Sequence, residues 1–116
     1  MRLIIFSLVI LTTAVPVAAM DFPIEGTKGT LLAATRVATF DEPWAMTFLP
    51  DDTLLVTEKR GVLWHVAKDG TKTEVRGMWK VAYGGQGGLG DVVLHPDFKN
   101  NSWVYLSYAE RGDDNA

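Results

Sequence analysis

The segment "PWAMTFLPDDTLLVTEKRGVLWHVAKDG", residues 43–70, decides the fold class. Trp44, Met46 and Phe48 alternate with smaller or polar residues until Pro50-Asp51 breaks the run. A second apolar run, residues 53–58, closes at Lys59-Arg60-Gly61. A third, residues 62–67, closes at the hairpin dipeptide Asp69-Gly70. Apolar residues at period two, bounded by Gly, Pro and Asp, predict antiparallel strands rather than helices. The polar stretch "TKTEV" that follows suits a short strand at a sheet edge.

The pattern recurs downstream. "FLPDDTLLVTEKRG" (48–61) and "VLHPDFKNNSWVYLSYAERG" (93–112) each run from an apolar strand through Pro-Asp into a second strand, a charged pair and glycine. A period in the forties with four short strands per period is the spacing of a β-propeller blade. Two copies also fit a β-sandwich, so periodicity alone leaves both architectures open. Residues 44–75 would make one blade, and residues 89–94 with 103–108 the inner half of the next. A propeller closes with at least about four blades. The expectation is therefore an N-terminal portion of a larger all-β protein, holding about one and a half blades over residues 40–116.

The start of the chain reads differently. Arg2, an apolar run from Leu3 to Ala14, and the small residues Val17-Ala18-Ala19 have the form of a secretory signal peptide over residues 1–19. The run is shorter than the roughly 20 apolar residues of a membrane span. Export makes the expected location periplasmic or extracellular, with no membrane attachment after cleavage. Within the N-terminal lead, residues 20–39, residues 20–30 read as unstructured, containing Pro23, Gly26 and Gly29; residues 31–40 could be a strand or a short helix, and a closing strand at residues 36–40 is favoured.

Eleven Lys/Arg against fourteen Asp/Glu give a net charge of −3, which does not favour nucleic acid as a partner. With no cysteine, the chain has neither disulfides nor thiol chemistry. His65 and His95 stand apart, without an HExxH or an EF-hand loop. His65 reads as a half-buried strand residue, and His95 as a turn residue bonding a nearby carbonyl. Asp113 and Asp114 could meet a cation but read more simply as a solvated loop.

The remaining candidate is "YGGQGGLGDVVLHPDF", residues 83–98. It is neither a dinucleotide fingerprint nor a Walker loop. Its glycines permit positive φ or close backbone approach, and Gln86 is the one sizeable polar side chain among them. The Gln86 amide can donate two hydrogen bonds and accept others, enough to orient a hydroxyl or a carbonyl. A plain inter-blade connection is the competing reading.

"PWAMTFLPDDTLLVTEKRGVLW" together with "GGQGGLGDVVLHPDFKNNSWVYLSYAE" resembles the N-terminal region of the soluble quinoprotein aldose and glucose dehydrogenases, the glucose/sorbosone dehydrogenase family. The resemblance implies a six-bladed β-propeller holding pyrroloquinoline quinone (PQQ) and calcium. It implies oxidation of an aldose at C1 to a lactone, with hydride passing to the quinone and electrons leaving to a further acceptor. Gln86 matches the family's active-site glutamine, a catalytic and cofactor-side position. The catalytic base, the calcium ligands and most quinone contacts are expected beyond Ala116, and His95 belongs to the His-Pro-Asp-Phe turn. Gly87 stands where glucose-oxidising members carry asparagine, which points to the broader aldose sugar dehydrogenase branch. The alternatives are a secreted propeller that binds carbohydrate or protein without catalysis, and a calcium-dependent lactonase-like hydrolase.

Overall fold

The computed structural model describes residues 21–112. The expected signal peptide and the Asp113-Asp114 pair lie outside the described residues. Two units divide after Thr35. In the first, β1 (Asp21–Glu25) pairs antiparallel with β2 (Leu31–Thr35), with Ile24 opposite Leu32. This corrects the reading of an unstructured lead with a strand at residues 36–40. Gly26 and Gly29 close a hairpin instead: the Gly26 N–H donates to the Thr30 carbonyl at 2.8 Å and the Gly29 N–H to the Gly26 carbonyl at 2.9 Å. The glycines that looked like loop composition are the turn, and the strand falls immediately after it.

In the second unit β3 (Pro43–Phe48), β4 (Leu54–Glu58), β5 (Val62–Val66) and β6 (Lys72–Glu74) form one antiparallel sheet in chain order. Each turn follows the sequence signal. The Asp52 N–H donates to the Leu49 carbonyl at 3.0 Å, the Gly61 N–H to Glu58 at 2.9 Å, and the Gly70 N–H to Ala67 at 2.9 Å. The polar strand β6 lies at the edge, as its composition requires. β7 (Leu89–Leu94) and β8 (Val104–Tyr108) then form a separate antiparallel pair, joined through the single-turn helix α1 (Phe98–Asn101).

Residues 36–40 are not a strand; they cross one side of the sheet. Lys72 ties them down, its ammonium donating to the Thr39 carbonyl at 2.7 Å while standing 4.8 Å from the centre of the Phe40 ring. The same ammonium lies 4.6 Å from the centre of the Trp64 ring, a second cation–π contact.

The register gives the sheet two unlike faces. Ala45, Leu55, Thr57 and Leu63 point one way, and Leu55 and Leu63 join Leu89 and Val92 in a buried core between the sheet and β7–β8. Each such side chain contributes about 1.5–3 kcal/mol on burial. Met46, Phe48, Leu54 and Val56 share the opposite face. There the β3 stripe is open: Trp44, Met46 and Phe48 are 55%, 54% and 64% exposed.

Thr57, 0% exposed, joins the two sheets. Its hydroxyl donates to the Gly90 carbonyl at 2.7 Å and accepts the Ala45 N–H at 3.1 Å. Both partners lie where strand register slips, between Pro43 and Ala45 in β3 and between Leu89 and Val92 in β7. A β-bulge leaves backbone groups outside the ladder, and one hydroxyl satisfies a group at each bulge. A four-stranded meander whose first strand packs beside the first strand of a following two-stranded pair is one and a half blades of a β-propeller.

Candidate functional site at the glycine loop

The strand pairings place Pro43, Glu58, Val62, Leu89 and Tyr108 at one end of the sheets. Gln86 sits at that end, in a loop closed by the Gly87 N–H donating to the Gly84 carbonyl at 2.7 Å. The Leu89 N–H donates to the Lys59 carbonyl at 2.9 Å, and the Ala109 N–H to the Gly88 carbonyl at 2.8 Å. The loop is therefore fastened to β4 on one side and to the end of β8 on the other. Gly88 is obligatory in this arrangement. Its φ is +137°, and a Cβ would overlap the Lys59 carbonyl oxygen. Gly85, with φ +51° and open space around it, serves the turn rather than a close approach.

Gln86 is exposed, and its amide bonds to no other side chain or backbone group among the described residues. A shallow cavity of about 280 Å³ lies beside it. Trp44 and Tyr108 contribute aromatic surface to this cavity, and Lys59 and Ser107 contribute polar groups. Tyr108 is stacked on Trp79, with ring centres 5.6 Å apart and planes 8° from parallel. Aromatic walls with a few placed hydrogen-bonding groups suit a flat ring or the apolar face of a sugar.

A charged cluster flanks the loop. The Tyr83 hydroxyl donates to a Glu42 carboxylate oxygen at 2.8 Å, and Arg60 reaches both Asp41 and Glu42 at 3.4 Å. The Arg60 guanidinium lies 4.9 Å from the centre of the Tyr83 ring, and the Lys59 ammonium 5.6 Å from it. The bond to Glu42 stabilises the neutral phenol. With some desolvation, it raises the Tyr83 pKa above its ordinary 10.0. These ion pairs are exposed, so their value lies in placement more than in stability. In the sequence, Lys59-Arg60 marks only a turn. Glu42 and Tyr83 stand 41 residues apart, and only the chain's path brings them together.

The two histidines lie away from this end. His95 follows β7, so a strand of roughly 20 Å separates it from the loop. Its Nδ1 accepts from the Asp97 N–H at 2.9 Å and the Asn101 side-chain amide at 2.8 Å. It is a turn residue that bonds a nearby carbonyl, as expected, through its backbone N–H, which donates to the Trp103 carbonyl at 2.9 Å, while its ring accepts backbone and amide N–H groups. His65 is half-buried, with Nε2 3.0 Å from the Thr53 hydroxyl, which itself donates to Asp51 at 2.6 Å. Neither histidine meets Gln86.

Among the described residues no group of three or more His, Cys, Asp or Glu could hold a metal ion. Among these residues calcium therefore finds no cluster of carboxylate ligands. The patch around Gln86 brings together an exposed amide with no hydrogen bond among the described residues, the Lys59 ammonium and two aromatic surfaces.

These features define a blade-and-a-half of a β-propeller with a glycine-rich loop at the ends of its inner strands. Residues 40–116 match the family described as Glucose / Sorbosone dehydrogenase, and the chain belongs to that family. It is 47% identical over 76 residues to the aldose sugar dehydrogenase YliI of Escherichia coli, a match spanning 64% of this chain and 20% of that protein. The soluble aldose sugar dehydrogenase of E. coli, solved in the apo-form, superposes with a TM-score of 0.61 at 45% identity, covering 64% of this chain and 22% of that one. The PQQ-bound aldose sugar dehydrogenase of Streptomyces coelicolor gives a TM-score of 0.58 at 34% identity, covering 66% and 24%. The chain thus spans about a fifth to a quarter of the length of these relatives.

Proposed function

We propose that this chain is the N-terminal portion of an exported aldose dehydrogenase that uses PQQ and calcium, and that Gln86 is its contribution to the active site. The carrying observation is the Gln86 amide, exposed at the strand ends and unpaired among the described residues on a loop fastened at both sides. Family membership and the names of the relatives support sugar oxidation as the reaction class.

In this reading the aldose loses two electrons and two protons at C1 and its hydroxyl, becoming a lactone. The quinone, when bound, supplies the two-electron acceptor. Gln86 orients the sugar or a carbonyl facing it through amide hydrogen bonds, and Trp44 and Tyr108 keep water from one side of the ring. Lys59 contributes positive charge to the same cavity. The base that accepts the hydroxyl proton and the calcium ligands belong to polypeptide following Ala116. Residues 1–19 direct export and are removed.

The test is dye-linked oxidation of aldoses by the complete protein, reconstituted with PQQ and calcium. Quinone-dependent turnover is expected, with none from residues 20–116 alone. Sugar binding without turnover would instead make the protein a binding module, and lactone hydrolysis without quinone would make it a hydrolase. Either result defeats the dehydrogenase reading.

A further inference from the structure

Two consecutive residues of the β4–β5 turn hold the glycine loop along its whole length. At the loop's entry, both Lys59 and Arg60 stand over the Tyr83 ring. In its middle, the Lys59 ammonium donates to the Gly85 carbonyl. At its exit, the Lys59 carbonyl accepts the Leu89 N–H at 2.9 Å, and the Lys59 side chain and carbonyl fill the space where a Cβ of Gly88 would stand. Gln86 lies between these fixed points and makes no bond of its own among the described residues.

The distribution of charge shows that Lys59 is committed to the loop. Three carboxylates, Asp41, Glu42 and Glu58, stand at the same end of the sheet; Arg60 engages the first two, and Glu58 is buried and accepts the Asp41 N–H at 2.8 Å. Glu42 also accepts from Tyr83. Lys59 forms no ion pair among the described residues, and its one hydrogen-bonded partner through the ammonium is the Gly85 carbonyl. A glycine-rich loop otherwise has wide backbone freedom, so an amide at its tip has a defined direction only if the backbone beside it is held.

We infer that Lys59 is a positioning residue that sets the direction of the Gln86 amide by fixing the backbone on both sides of it. This rests on the aldose dehydrogenase reading for its kinetic consequence, but the clamp itself can be measured without catalysis.

The decisive experiment combines a double-mutant cycle with hydrogen exchange in the complete, quinone- and calcium-loaded protein. Lys59→Met keeps the aliphatic stem and removes the donor. It is expected to lower kcat/KM for an aldose about tenfold, inside the roughly hundredfold that a 1 Å misplacement can cost. Lys59→Arg, which keeps a donor, should recover most of the loss. In a Gln86→Ala background Lys59→Met should cost less than about twofold, because residues acting through one group are not additive.

The Gly87 amide, which closes the loop turn, should exchange about tenfold faster in Lys59→Met. A full tenfold kinetic loss in the Gln86→Ala background would show Lys59 working independently of Gln86 and overturn the inference. Unchanged Gly87 exchange would overturn it equally. If the unmutated protein oxidises no aldose, the functional reading fails, and the exchange measurement alone decides the clamp.

Discussion

Replacing Thr57 with valine removes one hydroxyl and leaves side-chain shape nearly unchanged, which makes it a clean probe of how consecutive blades are joined. Thr57 is fully buried, and its hydroxyl serves the Gly90 carbonyl at 2.7 Å and the Ala45 N–H at 3.1 Å. Both groups sit at register slips. Each buried polar group left unsatisfied costs about 1–3 kcal/mol. Two such groups, partly relieved by local relaxation, give an expected loss of about 2–4 kcal/mol for Thr57→Val. Thr57→Ser keeps the hydroxyl and deletes one methyl, a change of about 1 kcal/mol. The assay is urea unfolding of the complete protein, comparing midpoints at unchanged slope so that the difference reports stability alone. The ordering, valine well below serine, is the test. A valine variant as stable as the serine variant would refute the claim that this hydroxyl joins the sheets.

Three further outcomes follow from the site. Gln86→Ala should reduce kcat/KM for aldoses by an amount matching a hydrogen bond of about 0.5–1.5 kcal/mol, with little change in melting temperature; wild-type kinetics with a lowered melting temperature would make Gln86 structural. Gly88→Val should destabilise the protein and disorder the loop, since a side chain at φ +137° meets the Lys59 backbone; unchanged thermal unfolding would contradict that geometry. Glu42→Gln should bring the raised Tyr83 pKa down toward 10.0, read by ultraviolet titration of the tyrosines. Because the folded-state pKa is the higher one, the Tyr83–Glu42 contact contributes fully below pH 10 and is lost as pH rises through that pKa. An identical titration in the variant would remove Glu42 as its cause.

Much of the fold was legible because its signals are local. Alternation of apolar residues and the dipeptides Pro50-Asp51 and Asp69-Gly70 mark β3 to β6 to within a residue or two. The repeat of that grammar separates the sheet from β7–β8. The lead was misread because Gly26 and Gly29 suit a loop and a hairpin turn equally, and the pairing of β1 with β2 decides between them. An open apolar face accords with a chain holding only one and a half blades, which cannot cover their own apolar surfaces, although a period-2 pattern does not say which stripe stays uncovered. In the site, Gln86 stood out as the lone amide among glycines. Its surroundings did not, because Glu42, Lys59 and Tyr83 come from three segments and meet only through the fold. Thr57 looked like one more β-branched strand residue, and its value depends on two bulges that composition does not announce.

The uncovered stripe of Trp44, Met46 and Phe48 has a practical bearing on how any short version of this polypeptide behaves. β3 is an outermost strand of its sheet, so apolar side chains and unpaired backbone groups are offered to solvent together. Such an edge promotes self-association. Material made from these residues alone will therefore become concentration-dependent in light scattering before it reports anything about sugars. An inactive short polypeptide is informative only in a solution first shown to be monodisperse.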